Sequence, residues 1–193
     1  LYGAWLKSQH PLAFYEVFLT VLDEKGSKDR MKAVRAEAEN AYKIRFTPLR
    51  FRQDNRKITS DEKTNSIWGT LKSIKGFGTA IADQMYSMKD MKFDSFVDFL
   101  VYLEENGIMC SKIEDLIKIQ YFNEFGGGQK LLTIYKEFSE GKNRYNRKHK
   151  DDTKAKRLIA LYEFELSLVD ENFPLIQQME MEQEILGYTQ VIM

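Results

Sequence analysis

The chain has 193 residues, of which 43% are hydrophobic, enough for one large hydrophobic core or two small ones. No stretch approaches the roughly 18 apolar residues that a membrane-spanning helix needs, which excludes an ordinary membrane protein. The formal net charge is zero, so no overall basic excess indicates a nucleic-acid partner, and local charge has to be examined instead.

The cysteine and histidine content predicts no disulfide and no metal site. Cys110 is the single cysteine, and His10 and His149 have no second ligand at zinc spacing. A cytoplasmic location is the simplest interpretation, because the chain does not open with a secretory signal pattern. Since the first residue is Leu1 rather than methionine, we expect a fragment of a longer protein or an omitted start.

Two helical stretches and an extended connection are predicted at the N-terminal end. Residues 1–22 are rich in apolar side chains, and Pro11 should interrupt the helix because proline lacks an N–H group. A second helix is predicted from Ser27 to about Tyr42, with the Ser27 hydroxyl as its N-cap. The stretch 43–63 is charged and lacks periodicity, which indicates an extended connection or a small strand.

The middle of the chain predicts short helices separated by glycines. One helix precedes Gly76, and four more are predicted over residues 79–89, 95–106, 111–119 and 129–138. Ser95 and Ser111 are each followed three residues later by an acid, which is the reciprocal capping arrangement at a helix start. Gly107 follows its helix as a left-handed stop does. The three glycines at 126–128 lack the ending of a phosphate-binding P-loop and predict a flexible loop.

Charge is unevenly distributed in the last third of the chain. Residues 159–193 contain no lysine or arginine, and eight basic residues precede them: Lys142, Arg144, Arg147, Lys148, Lys150, Lys154, Lys156 and Arg157. Two interpretations of this stretch stay open, a solvated linker and a segment that follows a phosphate backbone with Tyr145 stacked on a base. Helices are predicted over 158–168 and 175–186, the second preceded by Pro174.

These elements predict a mainly all-α fold of short helices around a tandem helix-hairpin-helix core, with a small strand element near 43–63. Three segments are predicted: a helical segment with its connection (1–64), a DNA-binding domain (65–141), and a basic linker with a C-terminal helical part (142–193). Trp5 and Trp68 are expected to anchor the core. Glu163 and Glu165 are interpreted as solvated surface charge rather than metal ligands.

The strongest functional signal is the run Gly76-Phe77-Gly78 between two helical stretches. The first glycine permits a turn with positive φ, and the second lets the backbone approach a ligand where a Cβ would intrude. Phe77 is expected to plug the turn into the core. The alternative is a tight interhelical turn without a ligand. A second, degenerate hairpin is predicted within Ile108–Leu116.

The amides around this hairpin predict a phosphate site. Unpaired N–H groups at a helix start, together with the helix dipole, favour an anion. The predicted DNA-binding residues are Lys72, Lys75, Gly76, Phe77, Gly78 and Thr79. Backbone phosphate contacts position a duplex without reading its bases, so binding should be independent of sequence and sensitive to salt.

Several motifs, taken in order, resemble the alpha subunit of bacterial DNA polymerase III, a replicative polymerase family. The stretch 74–78 resembles that family's Ile-Lys-Gly-Val-Gly, and similar partial matches occur at 2–15, 93–100, 116–123 and 182–188. The resemblance implies a segment from the end of the fingers through the tandem helix-hairpin-helix domain. It also implies that the palm, with its metal-binding aspartates, lies upstream of this chain.

The resemblance therefore implies no catalytic residue and no cofactor in this chain, with Mg²⁺ expected for the full polymerase. The implied partners are duplex DNA, the remainder of the polymerase and a neighbouring sliding clamp. No Gln-x-x-Leu-Phe-like clamp peptide occurs between Phe138 and Pro174, and 43–63 lacks the family's proline-rich connection. Such departures suit a phage or mobile-element copy. The alternatives are a stand-alone helix-hairpin-helix protein and a helical protein-interaction module.

Overall fold

The computed structural model describes residues 2–108 and 112–190 and is mainly helical, as the sequence predicts. Within these residues it contains nine α-helices and one small sheet. The helices are α1 (Tyr2–Gln9), α2 (Pro11–Glu24), α3 (Lys28–Tyr42), α4 (Thr79–Ser87), α5 (Phe96–Glu105), α6 (Ile113–Lys118), α7 (Gly128–Ser139), α8 (Asp151–Ser167) and α9 (Leu175–Leu186). The strands are β1 (Arg45–Thr47), β2 (Thr59–Asp61) and β3 (Ser66–Trp68).

The chain forms two compact units, residues 1–87 with 179–193 and residues 88–178. These units divide the chain at other positions than the three predicted segments, whose functional assignment stays a prediction. In the described part of the chain, no helix is both long enough and apolar enough to cross a membrane.

The core of the first unit lies between α2, α3 and the sheet. On α2, the side chains of Tyr15, Leu19 and Leu22 recur at the spacing of one helical face and are almost fully buried. Ala38 of α3 and Ile67 of β3 pack into the same cluster. Because apolar residues at i, i+4 and i+7 share one face, the sequence pattern alone orients α2.

The predicted strand element within 43–63 is confirmed by β1 and β2. The sheet order is β1-β3-β2, with β3 parallel to β1 and antiparallel to β2. Phe46 lies opposite Ile67, and Ser60 lies opposite Ile67 on the other side. The central strand, β3, was not predicted, since three residues are too few to show a period.

Aromatic rings fill the core of the second unit. Phe96, Phe99 and Phe122 are fully buried, and the ring centroids of Phe99 and Phe122 are 4.9 Å apart. The predicted stop after α5 is confirmed: Gly107 has φ +68°, and the amide of Ile108 donates to the carbonyl of Leu103 over 2.8 Å. This bond and the one from the amide of Gly107 to the carbonyl of Glu104 form the Schellman arrangement that ends helices at glycine.

The helix starts predicted at Pro11, Ser27 and Ser95 agree with the structure, but one of the two predicted serine hydroxyl bonds is absent. Pro11 occupies the first turn of α2, and the Ser95 hydroxyl accepts a bond from the amide of Asp98 over 3.0 Å. Ser27 is the N-cap residue of α3 as predicted, but the predicted bond to its hydroxyl is wrong, because that hydroxyl makes no capping bond. The predicted cap at Ser111 lies outside the described residues, as does Cys110.

Three expectations about burial and helix extent are corrected. Trp5 is not a core anchor, because 52% of its surface is exposed, whereas Trp68 is half-buried. The helix expected before Gly76 is a single 3-10 turn, Leu71–Ser73. The helix expected from residue 158 begins at Asp151, inside the basic stretch.

The glycines at 126–128 form a packed helix start, which corrects the expected flexible loop. The amide of Gly127 donates to Asp170 over 2.6 Å, and that of Gly128 donates to Asn172 over 3.0 Å. A Cβ at Gly127 would lie 2.2 Å from the backbone oxygen of Glu171. Glycine is needed here because backbone approaches backbone too closely for a side chain.

Glu165 is also corrected, since it is buried rather than solvated, with 7% of its surface exposed. Its carboxylate accepts bonds from the amides of Phe96 and Val97, over 3.0 and 3.2 Å. A carboxylate at a helix N-terminus pairs with unsatisfied amides and with the positive end of the dipole. Glu165 therefore holds the first turn of α5.

Candidate nucleic-acid interface

The hairpin that the sequence singles out is anchored from its apolar side. Ile74 and Phe77 have 2% and 6% of their surfaces exposed, so Phe77 plugs the turn into the core as expected. The amide of Phe77 donates to the carbonyl of Ile74 over 3.1 Å, which closes the turn. Burial of the side chain between two glycines leaves the backbone of those glycines on the outside.

Asn55 supports the hairpin from a distant part of the first unit. Its backbone carbonyl accepts bonds from the amide of Leu71 and the hydroxyl of Thr70, over 2.9 and 3.2 Å. Its side-chain amide donates to the carbonyl of Gly69 over 3.2 Å. Asn55 itself is 2% exposed. No local sequence pattern indicates this role, because the contacts join residues about 15 positions apart.

The two glycines of the hairpin serve different purposes. Gly76 has φ +88°, a conformation that strains any residue with a Cβ. Gly78 has no positive φ, and a Cβ built on it would meet no heavy atom within 4 Å. Both glycines are exposed. The space over Gly78 is therefore open to a ligand that approaches the backbone.

Helix α4 begins at this open space with unused donors. The carbonyl of Gly78 accepts the first helical bond, from Ala82 over 3.3 Å, which makes Gly78 the N-cap. Among the described residues, the amides of Gly78, Thr79 and Ala80 have no acceptor. The first amides of a helix point along its axis at the positive end of its dipole, where an anion is stabilised.

Two exposed cations, Lys72 and Lys75, precede these amides in the chain. Within the part of the chain that the structure describes, Lys72 and Lys75 form no ion pair. Both line a cavity of about 230 Å³ beside the turn, together with Asp23 and Tyr188. The hydroxyl of Ser73 donates to Asp23 over 2.6 Å, which ties the 3-10 turn to the end of α2.

Two other helix starts are closed by the chain itself. Glu165 and the Ser95 hydroxyl occupy the amides of α5, and Asp170 and Asn172 occupy those of α7. The predicted second hairpin, Ile108–Leu116, falls partly outside the described residues. The hairpin at 76–79 therefore brings together open amides, a close-approach glycine and unpaired lysines.

The basic stretch 142–157 does not offer a stacking platform. Tyr145 is buried with 6% of its surface exposed, and its ring stacks on Phe138 with centroids 5.6 Å apart. Its hydroxyl donates to Glu105 over 2.7 Å. Burial raises the pKa of the Tyr145 phenol above its ordinary value, and the bond to Glu105 adds to that effect. Of the two interpretations that the sequence leaves open, stacking of Tyr145 on a base does not agree with this burial.

The acidic side chains that the sequence offers as metal-ligand candidates were located in the structure. Residues 2–108 and 112–190 contain no group of three or more His, Cys, Asp or Glu side chains that could hold a metal ion. Asp151 and Asp152 lie in the first turn of α8, where acids are favourable to the helix dipole.

Comparison with known proteins gives one informative similarity. No family model matches the chain. The chain is 26% identical over 193 aligned residues to DNA polymerase III subunit alpha of Campylobacter jejuni. The alignment covers 95% of this chain and 16% of that protein, so the chain corresponds to a small part of its relative's length. The similarity supports a relationship to a segment of a DNA polymerase III alpha subunit.

Proposed function

We propose that this chain binds duplex DNA without sequence preference, through the hairpin Gly76–Thr79, as part of a replicative polymerase related to DNA polymerase III alpha. The similarity over most of the chain supports the polymerase context. Chemistry dependent on Mg²⁺ is assigned to the remainder of that polymerase, and no catalytic residue is assigned to this chain. The sliding clamp is proposed as a neighbour of the whole polymerase only.

The open start of α4 is the observation that carries this proposal. Phosphate oxygens can accept hydrogen bonds from the free amides of Gly78, Thr79 and Ala80. Because Gly78 has no Cβ, the phosphate can approach the backbone closely. Lys72 and Lys75 line a cavity with Gly76 and Phe77 of the same turn and are proposed to add charge to the contact. Phosphates are identical along a duplex, so such contacts position DNA without reading its sequence.

The lysines offer the first test. Replacing Lys72 and Lys75 with glutamine removes two cations and leaves the turn's backbone bonds intact. Log affinity falls linearly with log salt, and each phosphate contact makes that slope steeper by roughly 0.9. One contact therefore strengthens binding roughly 8-fold at 0.1 M salt relative to 1 M. We expect the double variant to bind duplex DNA up to roughly 60-fold more weakly at 0.1 M salt, with a slope reduced by up to about 1.8.

A matched control removes the same charge elsewhere in the first unit. Lys32 and Lys63 are exposed, and the double change to glutamine there should leave affinity and slope nearly unchanged. Two duplexes of unrelated sequence, measured by fluorescence anisotropy, should bind with equal affinity. The proposal is overturned by salt-independent binding, by strong preference for one duplex, or by equal losses in the two double variants.

A further inference from the structure

A second charged surface lies in the unit formed by residues 88–178. In the loop between α7 and α8, residues 142–150 contain five lysines and arginines, and Glu140 is the one acid of the full connection 140–150. All five are exposed: Lys142, Arg144, Arg147, Lys148 and Lys150. The hairpin Gly76–Thr79 and this loop consist of different residues, so the two can be tested separately.

The loop is held in place by its backbone and by one buried ring. The amide of Tyr145 donates to the carbonyl of Phe138 over 2.9 Å, and the Tyr145 ring is buried against Phe138. The amide of Asn143 donates to the carboxylate of Glu137 over 2.9 Å, and that of Arg147 donates to Glu104 over 3.1 Å. These bonds describe an anchored loop rather than a solvated linker.

Three glutamates beside the loop bond to groups other than its five basic side chains, and Glu140, Asp151 and Asp152 also lie in or next to the loop in the chain. Glu137 and Glu104 accept main-chain amides, and Glu105 accepts from Tyr145 and from Lys154 of α8. No ion pair of Lys142, Arg144, Lys148 or Lys150 occurs among the residues that the structure describes. Arg147 differs: the bonds from Lys154 and Tyr145 lower the pKa of Glu105, and the nearby charge of Arg147 adds to that effect.

The geometry points to a nucleic-acid phosphate backbone as the partner of this loop, and we propose, resting on the duplex binding proposed for the chain, that the loop is a second contact for duplex DNA. Four exposed cations without an ion pair among the described residues, on an anchored backbone, suit a row of phosphates, since ordering the loop costs little entropy on binding. Binders of single strands combine cations with exposed aromatic stacking platforms, and the only aromatic residue of this loop is buried. Duplex DNA is therefore favoured over a single strand.

Arg147 places the loop beside another glycine turn of the same unit. A Cβ at Gly107 would lie 2.8 Å from Nη1 of Arg147, so the guanidinium rests on the turn after α5. A duplex bound at this turn would therefore lie next to Arg147 of the loop. The contact surface thus includes the loop 142–150 and the end of α5.

Replacement of Lys148 and Lys150 with glutamine tests the inference in the whole chain. Neither side chain makes a hydrogen bond with a described residue, so the fold should be retained, as circular dichroism and thermal melting can verify. We expect affinity for duplex DNA to fall up to roughly 60-fold at 0.1 M salt and the salt slope to fall by up to about 1.8.

The matched control exchanges two lysines of the same unit that are already neutralised. Lys89 pairs with Asp90, and Lys118 pairs with Glu114 over 2.8 Å. Glutamine at both positions removes the same charge and should change affinity less than 3-fold, about the spread of exposed ion-pair effects. Equal losses in the two double variants overturn the inference, because they would reflect net charge alone.

Further measurements distinguish a contact at this loop from the contact proposed at the hairpin, and duplex DNA from other anionic partners. If the loop variant binds normally while the Lys72 and Lys75 variant is weak, the inference is wrong and the hairpin proposal stands. The reverse pattern supports the loop and overturns the hairpin. Two competitors test the assignment to duplex DNA: a single strand of equal length and a polyglutamate peptide of equal charge. If either displaces the duplex from the loop as well as unlabelled duplex does, the assignment is overturned.

Discussion

Substitution of Gly78 with aspartate should separate DNA binding from stability, because the two effects have opposite signs. Gly78 is the N-cap of α4, has no positive φ, and leaves open space around a Cβ. Aspartate is a preferred N-cap residue and interacts favourably with the helix dipole. Its carboxylate would also occupy the free amides and place a negative charge where the phosphate is expected.

The expected magnitudes follow from these contacts. The better cap and the dipole interaction should together raise the free energy of unfolding by about 0.5–1 kcal/mol. Loss of one phosphate contact weakens binding roughly 8-fold at 0.1 M salt relative to 1 M. Repulsion between two charges about 4 Å apart in water adds about 1 kcal/mol, or roughly a further 5-fold. We therefore expect Gly78→Asp to bind duplex DNA roughly 40-fold more weakly.

Two control variants isolate the cause. Gly78→Asn caps the helix without charge, so it should lose about 8-fold in affinity and show no repulsion. Gly3→Asp adds the same charge in the same unit at a glycine whose Cβ would also meet no atom within 4 Å. Anisotropy titrations over a range of salt and urea unfolding supply both readouts. A folded Gly78→Asp variant with unchanged affinity and slope would refute the phosphate site.

Three further substitutions test the second unit, each by urea unfolding. Gly127→Ala should lower the free energy of unfolding by about 1–3 kcal/mol, because its Cβ meets the backbone of Glu171; a neutral result contradicts the close packing. Glu165→Gln should cost about 1–2 kcal/mol through weaker bonds to two amides of α5, and no loss contradicts the capping role. Burial and the bond to Asp98 raise the pKa of Tyr162 to about 12, so stability should fall as pH rises from about 10 to 12. Tyr162→Phe should lose less stability than the parent over that range.

Features with a local cause were predictable from the sequence. Pro11 and the Pro174–Leu175 junction mark helix starts because proline lacks an amide hydrogen, and Gly107 marks a stop because it adopts positive φ readily. The turn around Phe77 was predicted because Gly76, like Gly107, adopts positive φ readily. These residues act within a few positions of themselves, so their pattern is visible in the chain.

Features that depend on distant partners were missed. Glu165 caps α5 from 69 residues away, and Tyr145 is buried by a ring on α7 and a carboxylate on α5. A buried acid and an exposed acid look alike in a sequence, as do a buried and an exposed tyrosine. Only contacts between elements decide which one is present.

The sequence by itself determined the hairpin's shape: a positive-φ glycine, a buried Phe77 and a helix start at Thr79 all follow from residue chemistry. Contacts between distant residues decide the rest: the amides at the start of α4 stay open among the described residues, whereas Glu165 joins the local Ser95 hydroxyl at α5 and Asp170 closes the start of α7. The physical reason is that a helix start is satisfied by whichever acceptor folds against it, and local sequence does not specify that acceptor.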